Sequence, residues 1–269
     1  MIATYRIQLT PDFGFEQAEA IVPYLRRLGV SHLYLSPITE AVPGSTHGYD
    51  VVNHNAIRED LGGRPGFERL ERSAREAGLG ILLDFVPNHA GVGPDNAYWQ
   101  DVLAYGPYSP YAAFFDIDWT PLKPELQGKI LLPFLGDPYG DVFDRGEIKL
   151  DYADGRFYAT YFGDRFSIAP TTYSRILGPA LEGYERTDPY WDLKDLQTAY
   201  STLGPEDRQK AETLRPRLTS LMQRLETETV VTAISGEALH ELLDRQYWRV
   251  SYWKTAGHEI NYRRFFDIN

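Results

Sequence analysis

The stretch Gly80-Ile-Leu-Leu-Asp-Phe-Val-Pro-Asn-His89 decides the fold of this 269-residue chain. Apolar residues Gly80–Leu83 and Phe85-Val86 flank Asp84, and the run reads as a buried strand over 80–86, of the kind found in parallel sheets covered on both faces. Pro87 has no N–H to give a ladder and stops it. Asp84, Asn88 and His89 therefore gather at the C-terminal end of a strand, where α/β barrels and doubly wound sheets place ligands and catalytic groups.

Working upstream, Ala3–Leu9 alternates as a first strand. Ala18, Ile21, Val22, Leu25 and Leu28 then recur at helical spacing, with Pro23 in an early turn or at a kink and Gly29 as the stop. Val30–Leu35 is a second strand, and a polar excursion runs from Ser36 to Gly63. Phe67, Leu70, Ala74 and Ala77 mark a second helix ending at Gly78. Strand, helix, strand, helix, strand is the pattern of a parallel sheet with crossover helices. Two of its strands end in polar clusters: Ser36-Pro37 leading on to Ser45–Asp50, and Asp84–His89.

Downstream the alternation stops. Residues 91–170 are rich in Gly, Pro, Asp and aromatics, with strand-like pieces at Glu147–Leu150 and Arg156–Tyr161 around the hairpin signal Asp154-Gly155. A helix is expected from Glu206 to about Glu228, its Leu214, Leu218, Leu221 and Leu225 forming a core stripe interrupted by Pro216. Another is expected near Glu237–Arg245, where Glu237 suits a helix N-terminus better than a general acid's role. The expected organisation is a (β/α) first part over 1–90, a mixed insertion over 91–245, and a return segment over 246–269.

The formal charge is −11, from 38 acids and 27 bases, which disfavours nucleic acid and anionic membranes as partners. No cysteine is present, which excludes disulfides, thiolate metals and a cysteine nucleophile. The start, MIATYRIQLTP, has neither a basic leader nor an apolar signal core, and no run approaches the roughly 20 apolar residues of a membrane span. A soluble, cytoplasmic protein is expected. Nineteen Tyr and five Trp offer flat apolar faces with a polar handle, suited to the C–H faces of sugar rings.

The motif Asp84-x-x-x-Asn88-His89, the loop Gly48-Tyr49-Asp50 and the strand end Leu35-Ser36-Pro37 resemble the α-amylase-like family of retaining α-glucan enzymes. Within it, ATYRIQL (3–9), PYLRRLGVSHLYLSPI (23–38), PGSTHGYDV (43–51), SPYAAFFDIDW (109–119), LLPFLGDPYG (131–140) and EINYRRFFDIN (259–269) are similar to the maltooligosyltrehalose synthases. The resemblance implies an α/β fold: a partial (β/α)8 TIM barrel of three strands with a large mixed insertion after the third. It implies an intramolecular transglycosylase that converts the reducing-end α-1,4 bond of a maltooligosaccharide into an α,α-1,1 bond. The rival expectations are an α-glucan hydrolase of the same family and a non-catalytic glucan-binding or structural protein.

Retaining chemistry needs two carboxyl groups about 5 Å apart. By resemblance the nucleophilic Asp ends strand four and the acid/base Glu ends strand five, both expected beyond Asn269, so these residues alone are expected to be inactive and to need the remainder of the barrel. Asp84 is then a supporting group that orients an arginine, and His89 donates a hydrogen bond to the sugar. Tyr49 stacks on the sugar while Asp50 holds its loop; His47 and Asn88 complete the substrate-binding candidates. The Asn matching Asn88 is a calcium ligand in amylases, but six to eight oxygen ligands are not assembled here, so no metal and no cofactor are expected.

Overall fold

The computed structural model describes residues 2–184 and 188–263; Arg264–Asn269, the end of the expected return segment, lie outside them. The chain divides into two compact units, Met1–Asn96 and Ala97–Asn269.

In the first unit, strands β1 (Thr4–Ile7), β2 (His32–Leu35) and β5 (Gly80–Leu83) form a parallel sheet in the order β1-β2-β5. Helices α1 (Phe15–Ala20) and α2 (Val22–Leu28) connect β1 to β2. The single helix expected over 18–28 is thus two, broken at Ile21. Pro23 sits in the first turn of α2, where a missing N–H costs nothing. Between β2 and β5 come an antiparallel pair, β3 (Thr39–Ala41) with β4 (Val51–Ile57), and the helix α3 (Gly63–Glu76).

The register divides the sheet into two faces. Ile7 pairs with Leu35 and Leu33 with Ile81, and these residues pack with Phe15, Ala18, Leu25, Leu70 and Ala74 in one apolar cluster. Each large side chain so buried stabilises by about 1.5–3 kcal/mol. The other face carries the row Arg6, Tyr34, Leu82.

The third strand corrects two expectations. It ends at Leu83 rather than Val86, and it is not covered on both faces: Leu82 and Leu83 are 37% and 41% exposed. Among the described residues β5 is paired with β2 alone.

The second unit holds α4 (Ala97–Tyr105), a parallel pair of β6 (Ile130–Leu135) with β10 (Trp248–Tyr252), and a meander of β7 (Ile148–Ala153), β8 (Arg156–Tyr161) and β9 (Asp164–Ser167). Asp154 and Gly155 turn from β7 to β8 with φ of 53° and 79°, as a two-residue hairpin turn requires. The helices are α5 (Tyr139–Asp144), α6 (Ser174–Ala180), α7 (Asp188–Ser201), α8 (Arg208–Met222), α9 (Thr227–Thr232), α10 (Gly236–Asp244) and α11 (Trp253–Ala256).

The helix expected over 206–228 is therefore two, α8 and α9, while Glu237 lies in the first turn of α10. Leu218, Leu221 and Leu225 are buried and Leu214 is half-buried. Trp248 is 1% exposed and its indole N–H donates to the Ser167 carbonyl at 2.8 Å. Among the described residues no helix is long and apolar enough to cross a membrane.

Candidate active site

The C-terminal end of the β1-β2-β5 sheet assembles a polar cluster. Side chains alternate across a strand, so Asp84, two residues past Leu82, lies in phase with the Arg6–Tyr34–Leu82 face. The Asp84 N–H donates to the Leu35 carbonyl at 2.9 Å, which holds the residue against the end of β2.

Asp84 Oδ2 accepts three hydrogen bonds: from Tyr49 OH at 2.5 Å, from Arg6 Nη1 at 3.1 Å and from Tyr34 OH at 3.3 Å. Its side chain is 15% exposed. Burial pushes the carboxyl up, but the bonds from Tyr49, Arg6 and Tyr34 outweigh it and hold Asp84 below the usual carboxylate range. An ionised carboxylate with its outer oxygen committed to three donors is poorly placed to deliver a proton and is a weakened nucleophile. It is well placed to orient its neighbours.

Tyr49 is held at every polar atom. Its N–H donates to His47 Nδ1 at 3.0 Å, its carbonyl accepts from His89 Nε2 at 2.9 Å, and its hydroxyl receives Arg6 Nη2 at 3.0 Å while donating to Asp84. That donation to Asp84, with burial, raises the phenol above its ordinary value. His47 and Tyr49 rings stack with centroids 6.0 Å apart.

The loop under Tyr49 is fixed by its own sequence. The Ser45 hydroxyl donates to Asp50 and receives the Gly48 N–H at 3.0 Å. Arg58, with a side chain 3% exposed, grips Asp60 at 2.9 and 2.6 Å and gives Nη2 to the Ser45 carbonyl at 2.9 Å. Gly48 has φ 77°, and a Cβ there would stand 2.9 Å from the Pro37 carbonyl oxygen; glycine alone tolerates both.

The structure thus brings together Asp84, Tyr49, His47, Asp50, Asn88 and His89. It also gives His89 a protein partner, with Nε2–H donating to the Tyr49 carbonyl at 2.9 Å. Nδ1 of the same ring lies 3.1 Å from the Asn88 side-chain oxygen. Arg6, Gln8, Tyr34, Ser45 and Arg58 were not among the expected site residues. Gln8 joins through a 3.3 Å bond from Arg6. Among the described residues no group of three His, Asp or Glu is placed to hold a metal ion.

The α-amylase catalytic-domain family matches residues 20–166. A putative maltooligosyl trehalose synthase of Mycobacterium tuberculosis strain CDC 1551 is 46% identical over 171 residues, 58% of this chain and 22% of that protein. Maltooligosyltrehalose synthase from Arthrobacter ramosus has a similar structure, with TM-score 0.66 and 33% identity over 100% of this chain and 26% of that one. A hypothetical maltooligosyl trehalose synthase of Sulfolobus tokodaii gives a TM-score of 0.62 at 30% identity, covering 98% of this chain and 26% of that one. The chain spans about a quarter of the length of these relatives.

Proposed function

The chain belongs to the α-amylase family, and from that membership we propose that the Asp84–Tyr49 cluster is one wall of the sugar-cleaving centre of an intramolecular transglycosylase. Its substrate is a maltooligosaccharide, and the reaction turns the reducing-end α-1,4 bond into an α,α-1,1 bond. β1, β2 and β5 are read as the first three rungs of a (β/α)8 barrel, with residues 91–245 as the insertion and 246–269 as the return.

The observation that carries the reading is the convergence on Tyr49, whose hydroxyl is 2.5 Å from Asp84 and whose carbonyl is 2.9 Å from His89. An aromatic ring so immobilised is a fixed platform for a pyranose ring, and Asp84 serves as an orienting carboxylate. Likeness to maltooligosyltrehalose synthases over 98–100% of the chain, insertion included, supports the transglycosylase over a plain hydrolase. The nucleophile and the acid/base, which must stand about 5 Å apart, are assigned to the part of the relatives' length that this chain does not span. Release of a glucose whose anomeric hydroxyl then attacks the glycosyl-enzyme requires a site that keeps water out.

The test is turnover of maltopentaose by the full-length enzyme. Reducing ends should disappear while the product keeps the substrate's mass, since isomerisation adds no water. Residues 1–269 by themselves should give no product. Free maltose as the main product would assign the hydrolase instead.

A further inference from the structure

We propose that Arg6 is the positioning residue of this site: a guanidinium on the first strand that sets the orientation of Tyr49 against Asp84. The inference rests on the reading of Tyr49 as the sugar platform and adds a residue to it. The β1–β2 register places Arg6 directly opposite Tyr34, and the guanidinium carbon lies 5.0 Å from the centre of the Tyr34 ring. Stacked there, the fork reaches two targets at once, Asp84 through Nη1 at 3.1 Å and Tyr49 OH through Nη2 at 3.0 Å. Nη2 also meets Gln8 Oε1 at 3.3 Å, one β-strand period further along the same face.

Hydrogen-bond direction makes this more than a contact. An ionised carboxylate only accepts and a guanidinium only donates. The Tyr49 hydroxyl between them must therefore donate to Asp84 and accept from Arg6, which leaves its O–H a single orientation. Without Arg6 the hydroxyl keeps one partner and can swing about it. A lysine would restore the charge but not the planar fork that spans both groups and stacks on Tyr34. Arg6 needs no contact with substrate to matter, because displacing a platform by about 1 Å can cost on the order of 100-fold in rate.

The experiment compares Arg6→Met, Arg6→Lys, Tyr49→Phe and the Arg6→Met/Tyr49→Phe double variant of the full-length enzyme. Arg6→Met should lower kcat about 10–100-fold with KM for maltopentaose moving less than about threefold, and Arg6→Lys should recover only a minor part. The double variant should be within about threefold of the slower single variant, since both act on one hydroxyl. Losses that multiply in the double variant, or wild-type kcat in Arg6→Lys, overturn the proposal. Arg6 is 39% exposed, so the variants should fold; if Arg6→Met does not, Arg6→Gln takes its place.

A readout independent of turnover is 3-fluorotyrosine placed at position 49 and followed by 19F NMR. Its resonance should shift or broaden on Arg6→Met, and an unchanged resonance overturns the proposal. If the wild-type enzyme fails to convert maltooligosaccharides, the functional reading falls, while the fluorine resonance still tests Arg6.

Discussion

The Tyr49 hydroxyl and Asp84 Oδ2 lie 2.5 Å apart, at the short end of the range for a hydroxyl donating to a carboxylate. The two residues are 35 positions apart in sequence, one on a loop and one at a strand end, and the contact ties the loop to the sheet. A hydrogen bond to a charged group contributes about 1.5–3 kcal/mol. Tyr49→Phe keeps the ring and removes that bond, so kcat of the full-length enzyme should fall about 10–100-fold, at about 1.4 kcal/mol per decade. Steady-state kinetics on maltopentaose check it; an undiminished kcat would show that the hydroxyl plays no part.

Asp84 also makes folding pH-dependent. Its folded-state pKa is depressed below the ordinary value, so the unfolded chain binds its proton first as pH falls. The stabilisation is then fully present above the unfolded pKa of about 4 and is lost as pH drops through the lower folded value. Asp84→Asn removes this contribution at neutral pH and has nothing left to remove in strong acid. Denaturant unfolding of both proteins between pH 7 and pH 2 should give a stability gap that closes below about pH 4. A gap constant across that range would mean that Asp84 is not held as an ionised partner of Arg6 and Tyr49.

At Gly48 two constraints coincide, a φ of 77° and a Pro37 carbonyl oxygen 2.9 Å from where a Cβ would stand. The left-handed conformation alone costs an L-residue about 1–2 kcal/mol. Gly48→Ala should therefore lower stability by at least that amount in urea unfolding. It should also slow turnover more than its stability loss explains, because the displaced loop carries Tyr49. Wild-type stability would show that the turn relaxes without strain.

Much of this site was legible from residue order because chemistry-bearing side chains follow strand ends: Asp84 comes right after β5, and Tyr49-Asp50 sit on the excursion after β2. Arg6 was not legible, since a charge inside a short alternating strand reads as solvent-facing until the register sets it opposite Tyr34. An apolar run does not disclose whether its strand has one neighbour or two, and β5 has one among the described residues. β4 went unseen because Asn53-His54-Asn55 interrupts its alternation. Helix α4 went unseen because seven of its nine residues are buried, so no apolar stripe with a 3.6-residue period stands out.

His89 separates two ways of serving one reaction. One is a hydrogen bond to a sugar hydroxyl, and the other is the bond that Nε2–H makes to the Tyr49 carbonyl at 2.9 Å. Its effect in this geometry passes through the backbone of Tyr49, on the side away from Asp84 and Arg6. Removing it leaves the hydroxyl bonds in place and loosens one of three anchors, a loss of about 1 kcal/mol for a neutral hydrogen bond. His89→Ala should then reduce kcat roughly fivefold to tenfold, less than Tyr49→Phe does. His89→Gln should regain most of that, because a glutamine amide N–H can take the place of Nε2–H. Kinetics of the two variants on maltopentaose decide it: a loss in His89→Gln as deep as in His89→Ala would assign the imidazole to the sugar itself.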